Sequence, residues 1–172
     1  VTGVTVDTTL GAFTVTLDPA SAPIAAANFV ELARCGFYDG ITFHRVVTGF
    51  VIQAGDPNTK ENRGDFEGLG TSGPGFGFPI ELPSDDQLYA AYTVAMANNG
   101  LENGSQFFVC LTDIDGVLPT RTYSIIGAVT EGQDVVDAIG QVEVIDEVRT
   151  VPVDPVVING MEVVVAAEST PS

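Results

Sequence analysis

The chain has 172 residues, 45% of them hydrophobic, and its 6 Lys+Arg against 23 Asp+Glu leave a net charge of −17. A field of that sign repels phosphate backbones and excludes nucleic acid as a partner, while the length suits one domain around one buried core. No run approaches the roughly 18 apolar residues of a membrane span, so no membrane insertion is expected. The single His (His44) and the two distant cysteines supply no zinc-ligand spacing, and no metal or cofactor is expected.

In chain order, Val4-Thr5-Val6 and Phe13-Thr14-Val15-Thr16-Leu17 alternate apolar and hydroxyl residues as half-buried strands do, which predicts a hairpin. Pro23 suits the first turn of a helix over 23–34, with Ile24, Ala27, Phe29, Val30, Leu32 and Cys35 as its apolar face and Gly36 as its stop. Cys35 and Cys110 read as small core residues. Strand pattern returns from Ile41 to Ala54, interrupted at Thr48-Gly49.

A Gly-rich stretch over 62–79 follows, too long for an idle connector and therefore expected to border a site. Its Gly73-Pro74-Gly75-Phe76-Gly77 is not a phosphate cradle, since no Gly-Lys-Ser/Thr opens a helix behind it. Thr93–Ala97, Phe107–Leu111 and Ser124–Val129 read as further strands. Thr130 with Gln133 forms a capping-box pattern for a second helix, whose buried stripe is Val135, Val136 and Ile139 before Gly140. Closing strands are predicted over 142–148 and 156–165, with Asn159-Gly160 marking either a tight turn or a bulge. Residues 1–166 are expected to form the domain and 167–172 a flexible tail. Short strands with only two helices argue for an antiparallel barrel with helices over its ends.

The run Phe43-His44-Arg45-Val46-Val47-Thr48-Gly49-Phe50-Val51-Ile52-Gln53-Ala54-Gly55-Asp56 resembles the signature of the cyclophilin-type peptidyl-prolyl isomerases. So does a second block, Met96-Ala97-Asn98-Asn99 with Gly104-Ser105-Gln106-Phe107-Phe108. Asn28-Phe29, Phe37-Tyr38-Asp39-Gly40, Glu81 and Gly127 fall where that family has them, and the resemblance spans about residues 4 to 165. It implies a closed eight-stranded antiparallel β-barrel capped by two α-helices, and the activity of prolyl isomerisation in a bacterial-like member.

Departures are Thr48 where the family usually has Pro, Ala54 where it has Gly, and Val51 where Met is common. The loop between Asn98 and Gly104 is one residue shorter than in many members. Counting back from Gly127 places Pro119 at the family's pocket Leu, and one residue of slippage would place Leu118 there.

By this resemblance Arg45 is the catalytic residue and Gln53 holds its guanidinium. Phe50, Val51, Phe108, Tyr123 and Leu118 or Pro119 form the proline pocket, and Ala97, Asn98, Asn99 and Gln106 contact an extended peptide. Arginine suits the task because it stays protonated and presents a planar fork of donors to a twisting amide. His44, with no second His and no nucleophile elbow beside it, reads as a packed, hydrogen-bonded structural residue. Strand alternation puts Phe107 in the core and Phe108 in the pocket.

The expected partners are X-Pro peptides and unfolded proteins, met by a monomer. Cyclosporin should bind weakly, since the chain has no Trp. The acidic, Lys-poor surface suits either a secreted, extracytoplasmic life or the cytoplasm of a salt-adapted organism. The alternative function is a non-catalytic proline-peptide binding module or holdase, which would need the pocket but not Arg45.

Overall fold

The structure, a computed structural model, describes residues 1–61, 68–118, 121–145, 147–148 and 150–166. The tail expected at 167–172 and the pocket candidate Pro119 lie outside the described residues.

The alternating hairpin forms β1 (Gly3–Thr8) and β2 (Gly11–Leu17), paired antiparallel. Helix α1 (Pro23–Arg34) follows, then β3 (Arg45–Val47), β4 (Val51–Ala54), β5 (Thr93–Asn98), β6 (Asn103–Cys110), β7 (Ile125–Glu131), α2 (Gln133–Ile139) and β8 (Ile158–Val164). The eight strands form one antiparallel sheet in the order β3-β4-β6-β5-β7-β2-β1-β8. The sheet curls but stops short of the closed barrel expected from the sequence. No ladder joins β3 to β8; among the described residues the seam is held by the bridge Thr42–Val157 and by bonds such as Phe43 N–H to the Val156 carbonyl at 3.0 Å. Of the turn or bulge expected at Asn159-Gly160, the bulge is the one present, as a register shift where β8 pairs with Asp7 and Thr8 of β1.

Helix α1 begins and ends as predicted, and Phe29, Val30 and Leu32 of its expected face are buried, but the rest of that face is rotated. Ala25, Ala26, Phe29, Val30, Leu32 and Ala33 are buried, whereas Ile24, Ala27 and Cys35 are exposed. The small alanines let the helix approach the sheet, and the bulkier Ile24 is turned to solvent. Ala22 offers no side-chain cap; the Glu81 carboxylate supplies it instead, accepting from Ile24 N–H at 3.2 Å and Ala25 N–H at 2.8 Å.

Helix α2 starts later than the capping-box pattern implied. Its N-cap is Gly132, at φ 72°, and no side chain caps it. Thr130 stays in β7 and shares a hydrogen bond with the Thr16 hydroxyl, while Gln133 Nε2 donates to the Val129 carbonyl. The backbone leaves the sheet only where a residue without Cβ can turn it. Of the two predicted closing strands the second forms; among the described residues the earlier segment contributes the bridge Val144–Pro152.

Two apolar clusters occupy opposite faces of the same strands. Inside the curl, Phe107 packs edge-on against Phe29, Tyr38 and Phe43, joined by Ile52, Val94, Met96, Val109 and Ile126. On the outer face, Val51, Ala95, Phe108, Cys110 and Ile125 form a second cluster with Tyr89 and Ile114. Both cysteines are free thiols; Cys110 is buried as expected and Cys35 is not.

Candidate active site

Pairing register builds the site. In the β3–β4 hairpin Arg45 stands directly opposite Gln53; in the β4–β6 ladder Gln53 stands opposite Phe108; in the β5–β6 and β5–β7 ladders Ala95 stands opposite Phe108 and Ile125. Paired residues point to the same face, so a cation, an amide and an apolar floor form one row across five strands.

The Arg45 guanidinium is half-buried, and burial lowers its pKa from the ordinary arginine value, an effect that neighbouring Tyr123 opposes. Its Nη1 donates to Gln53 Oε1 at 3.5 Å, and its central carbon lies 6.0 Å from the Phe50 ring centroid. Tyr123 meets Phe108 edge-on, with centroids 5.3 Å apart at 90°. Phe50, Ala97, Leu118 and Tyr123 are only partly buried and rim the cluster floored by Val51 and Phe108. The result is an apolar patch with aromatic walls beside one desolvated cation.

Tyr123 is held from behind. The fully buried Tyr89 donates its hydroxyl proton to the Tyr123 carbonyl at 2.7 Å and accepts from the Tyr123 N–H at 3.1 Å, pinning both backbone groups of one residue. Arg121 ties the same loop to its neighbours, donating to the Ser84 and Gln87 carbonyls and lying 3.7 Å from Asp115.

Next to this patch lies a cavity of about 580 Å³, walled on one side by Gly70–Gly77 of the Gly-rich stretch and on the other by Ala97–Asn99 and Glu102–Gln106. Its enclosed volume does not cover the Phe108–Tyr123 face. The cation sits at the patch and is not among the residues that line the cavity. Asn98 spends its amide on the Thr122 carbonyl and the Gly100 N–H, and Asn99 Oδ1 accepts from Leu101 and Glu102 N–H. These hydrogen bonds tie both asparagine side chains into their own loop and its neighbour. The Gly-rich wall is fastened by Asp56, fully buried, whose Oδ2 accepts from Gly70, Thr71 and Ser72 N–H at 2.6, 3.1 and 3.4 Å.

His44 departs from expectation. It is packed, at 5% exposure, but neither ring nitrogen has a hydrogen-bond partner among the described residues. Burial pushes its pKa down to about 4, against the pull of the Asp56 carboxylate. A neutral imidazole is the form this site holds. Among the described residues no group of acids, cysteines and histidine could hold a metal ion, and no helix is long and apolar enough to cross a membrane.

The model of the cyclophilin type peptidyl-prolyl cis-trans isomerases matches residues 3–163. The chain belongs to that family. Its relatives include a peptidyl-prolyl cis-trans isomerase-like 1 of Emericella nidulans, 38% identical over 96% of each chain. A peptidyl-prolyl cis-trans isomerase of Helicobacter pylori is 37% identical over 84% of this chain and 83% of its own. Among solved structures, a cyclophilin type isomerase of Cryptosporidium parvum superposes with a TM-score of 0.82 at 26% identity, covering 96% of this chain and 99% of that one. The same protein in the presence of the dipeptide Ala-Pro gives 0.81.

Cyclophilin membership frames what the sequence missed. Arg45, Gln53, Phe50, Val51, Phe108, Leu118, Tyr123 and Ala97 converge on the patch, while Asn98, Asn99 and Gln106 line the cavity. Tyr89 and Asp56 carry the supporting hydrogen bonds. Asp56 sat inside the quoted signature, where its burial could have been suspected; Tyr89 had no local signal. Thr48, standing for the family's Pro, donates to the Gly140 carbonyl at 3.0 Å and so fastens the β3–β4 turn to the end of α2.

Proposed function

We propose that this cyclophilin seats the prolyl ring of an X-Pro segment on the Phe108–Tyr123 face and turns the bond with Arg45. The peptide bond resists rotation by about 18–20 kcal/mol because the nitrogen lone pair is delocalised into the carbonyl. No covalent bond need break; a catalyst has only to favour the twisted state, in which nitrogen regains its lone pair. Each ~1.4 kcal/mol of such preference is worth tenfold in rate. The observation that carries the reading is the half-buried guanidinium placed by strand register beside an aromatic floor. A donor there is partly desolvated and pre-aimed, and its interaction with the lone pair exists only as the amide twists.

Gln53 holds the guanidinium. Backbone groups of Ala97–Asn99 meet an extended chain without selecting its side chains, which suits unfolded proteins as clients. Cyclosporin is held weakly, because no Trp is available to close over it.

The test is a prolyl isomerisation assay on a short X-Pro peptide, with circular dichroism to verify folding. Arg45→Ala should lose at least about tenfold in kcat/KM with its fold intact. Folded wild type that binds peptide without accelerating isomerisation would replace the enzyme by a binding module or holdase.

A further inference from the structure

The Arg45–Gln53 contact continues into the protein as a directed chain of amides. Gln53 Nε2 donates to Gln106 Oε1 at 3.0 Å, and Gln106 Nε2 donates to the Ser72 carbonyl at 2.9 Å. A main-chain carbonyl can only accept, so Gln106 must turn its NH2 toward Ser72 and its oxygen toward Gln53. Gln53 must then present NH2 to Gln106, which leaves its own oxygen for Arg45. The orientation of both amides follows from one fixed acceptor at the far end.

That acceptor is itself fixed. Ser72 belongs to the Gly-rich wall, where Asp56 gathers three consecutive N–H groups on one carboxylate oxygen while its other oxygen accepts from Asn58 N–H at 2.8 Å. Gly70, at φ 80°, brings this wall close: a Cβ there would lie 3.4 Å from His44 Nε2 and 3.9 Å from Gln106 Oε1. Reversing either glutamine would set an NH2 against the guanidinium or an oxygen against the Ser72 carbonyl, and both contacts repel.

We infer that Gln106 is a positioning residue for catalysis: through the Ser72 carbonyl, set in place by Asp56, it orients Gln53 so that an acceptor faces Arg45. This rests on Arg45 being the catalytic group. It gives the Gly-rich wall a part in turnover although it never touches the guanidinium. It also separates Gln106 from an ordinary peptide contact, whose loss would be felt in binding.

The test splits kcat from KM for wild type, Gln106→Met, Gln106→Glu and Arg45→Ala, with the Gln53 side-chain NH2 followed by ¹H–¹⁵N spectra. Gln106→Met keeps the length but removes acceptor and donor; it should lower kcat about fivefold while KM moves less than about twofold, and the Gln53 NH2 signals should shift toward those of a free amide. Gln106→Glu presents only acceptors, so it accepts from the Gln53 NH2 without needing the Ser72 carbonyl to orient it; although that carbonyl repels its second oxygen, kcat should fall less than in Gln106→Met, with the Gln53 signals still engaged. Asp56→Asn can offer its oxygen to the wall only by turning NH2 toward Asn58 N–H, and should shift the same signals without raising KM. If that buried substitution prevents folding, the two Gln106 variants decide alone. A rise in KM with kcat unchanged in Gln106→Met, or equal kcat losses in Met and Glu variants, would overturn the relay. Failure of the underlying reading is distinct: wild type would not accelerate isomerisation, or Arg45→Ala would match it.

Discussion

The two apolar clusters share four strands and differ in how they are closed. On β6 the alternation is strict: Phe107 and Val109 face the interior of the curl, Phe108 and Cys110 the outer face. The inner cluster is sealed by α1, α2 and strands from both ends of the sheet, with loop residues such as Tyr38, Phe43 and Phe78 completing it. The outer one has no opposing layer; loops carrying Tyr89, Ile114, Leu118 and Tyr123 fold over part of it and leave the rest open. An apolar surface covered on all sides contributes stability, whereas one covered on three sides is a place to bind.

Adjacent phenylalanines offer the sharpest way to break that comparison. Phe107→Ala should cost about 3–5 kcal/mol, because it empties the centre of an aromatic group at which Phe29, Tyr38 and Phe43 meet, yet the molecules that stay folded should isomerise at near wild-type rate. Phe108→Ala should do the reverse, lowering kcat/KM about tenfold with a smaller loss of stability, since water can enter the vacated floor. Denaturant melts and isomerisation kinetics on the pair check both halves; matching profiles would mean that the two faces are not separable.

His44, buried against the Gly-rich wall at Gly70, is probed by pH. Its folded pKa lies near 4, below the ordinary 6.5, so between those values the unfolded chain binds the proton more readily than the folded one. Stability contributed by the neutral ring is therefore complete above about pH 6.5 and is lost as pH falls toward 4, by up to about 3 kcal/mol. Many carboxylates titrate in the same window, so the informative quantity is the difference between wild type and His44→Gln, which should narrow as pH drops. A constant difference would show that the ring is not held neutral.

The smallest effect is expected at Tyr89. Removing only its hydroxyl, by Tyr89→Phe, should cost about 1–2 kcal/mol and raise KM more than it lowers kcat, because the Tyr123 wall loses its anchor while Arg45 stays in place. Stability melts beside saturation kinetics would detect it.

What was legible in the sequence follows range of interaction. The β3–β4 hairpin and the alternation at Phe107-Phe108 depend on neighbours a few residues away, and the Arg45–Gln53 opposition follows once the turn at Thr48-Gly49 is placed. Helix α1 was located by Pro23 and Gly36, and Phe29, Val30 and Leu32 are buried as expected, but Ile24, Ala27 and Cys35 give way to Ala25, Ala26 and Ala33, because what decides the rest of the face is how near an alanine row can come to a sheet elsewhere in the chain. The Thr130 capping pattern lost to Gly132 because β7 keeps its pairing with β2 as far as Glu131. The seam stayed open where residues 40–43 run beside β8 without forming a full strand. Tyr89, Asp56 and Ser72 act on partners 14 to 34 positions away, a distance at which no local pattern exists.

The two thiols give this molecule an internal gauge of breathing. Cys35 is open to solvent at the end of α1, whereas Cys110 is fully buried in the outer cluster and its thiol is pushed up to about 12 by burial and the nearby Asp113. An alkylating reagent meets the first at once and the second only when β6 and the loops above it part. One mass tag per chain marks a closed outer cluster; the slow arrival of the second times its opening, with no cysteine engineered in.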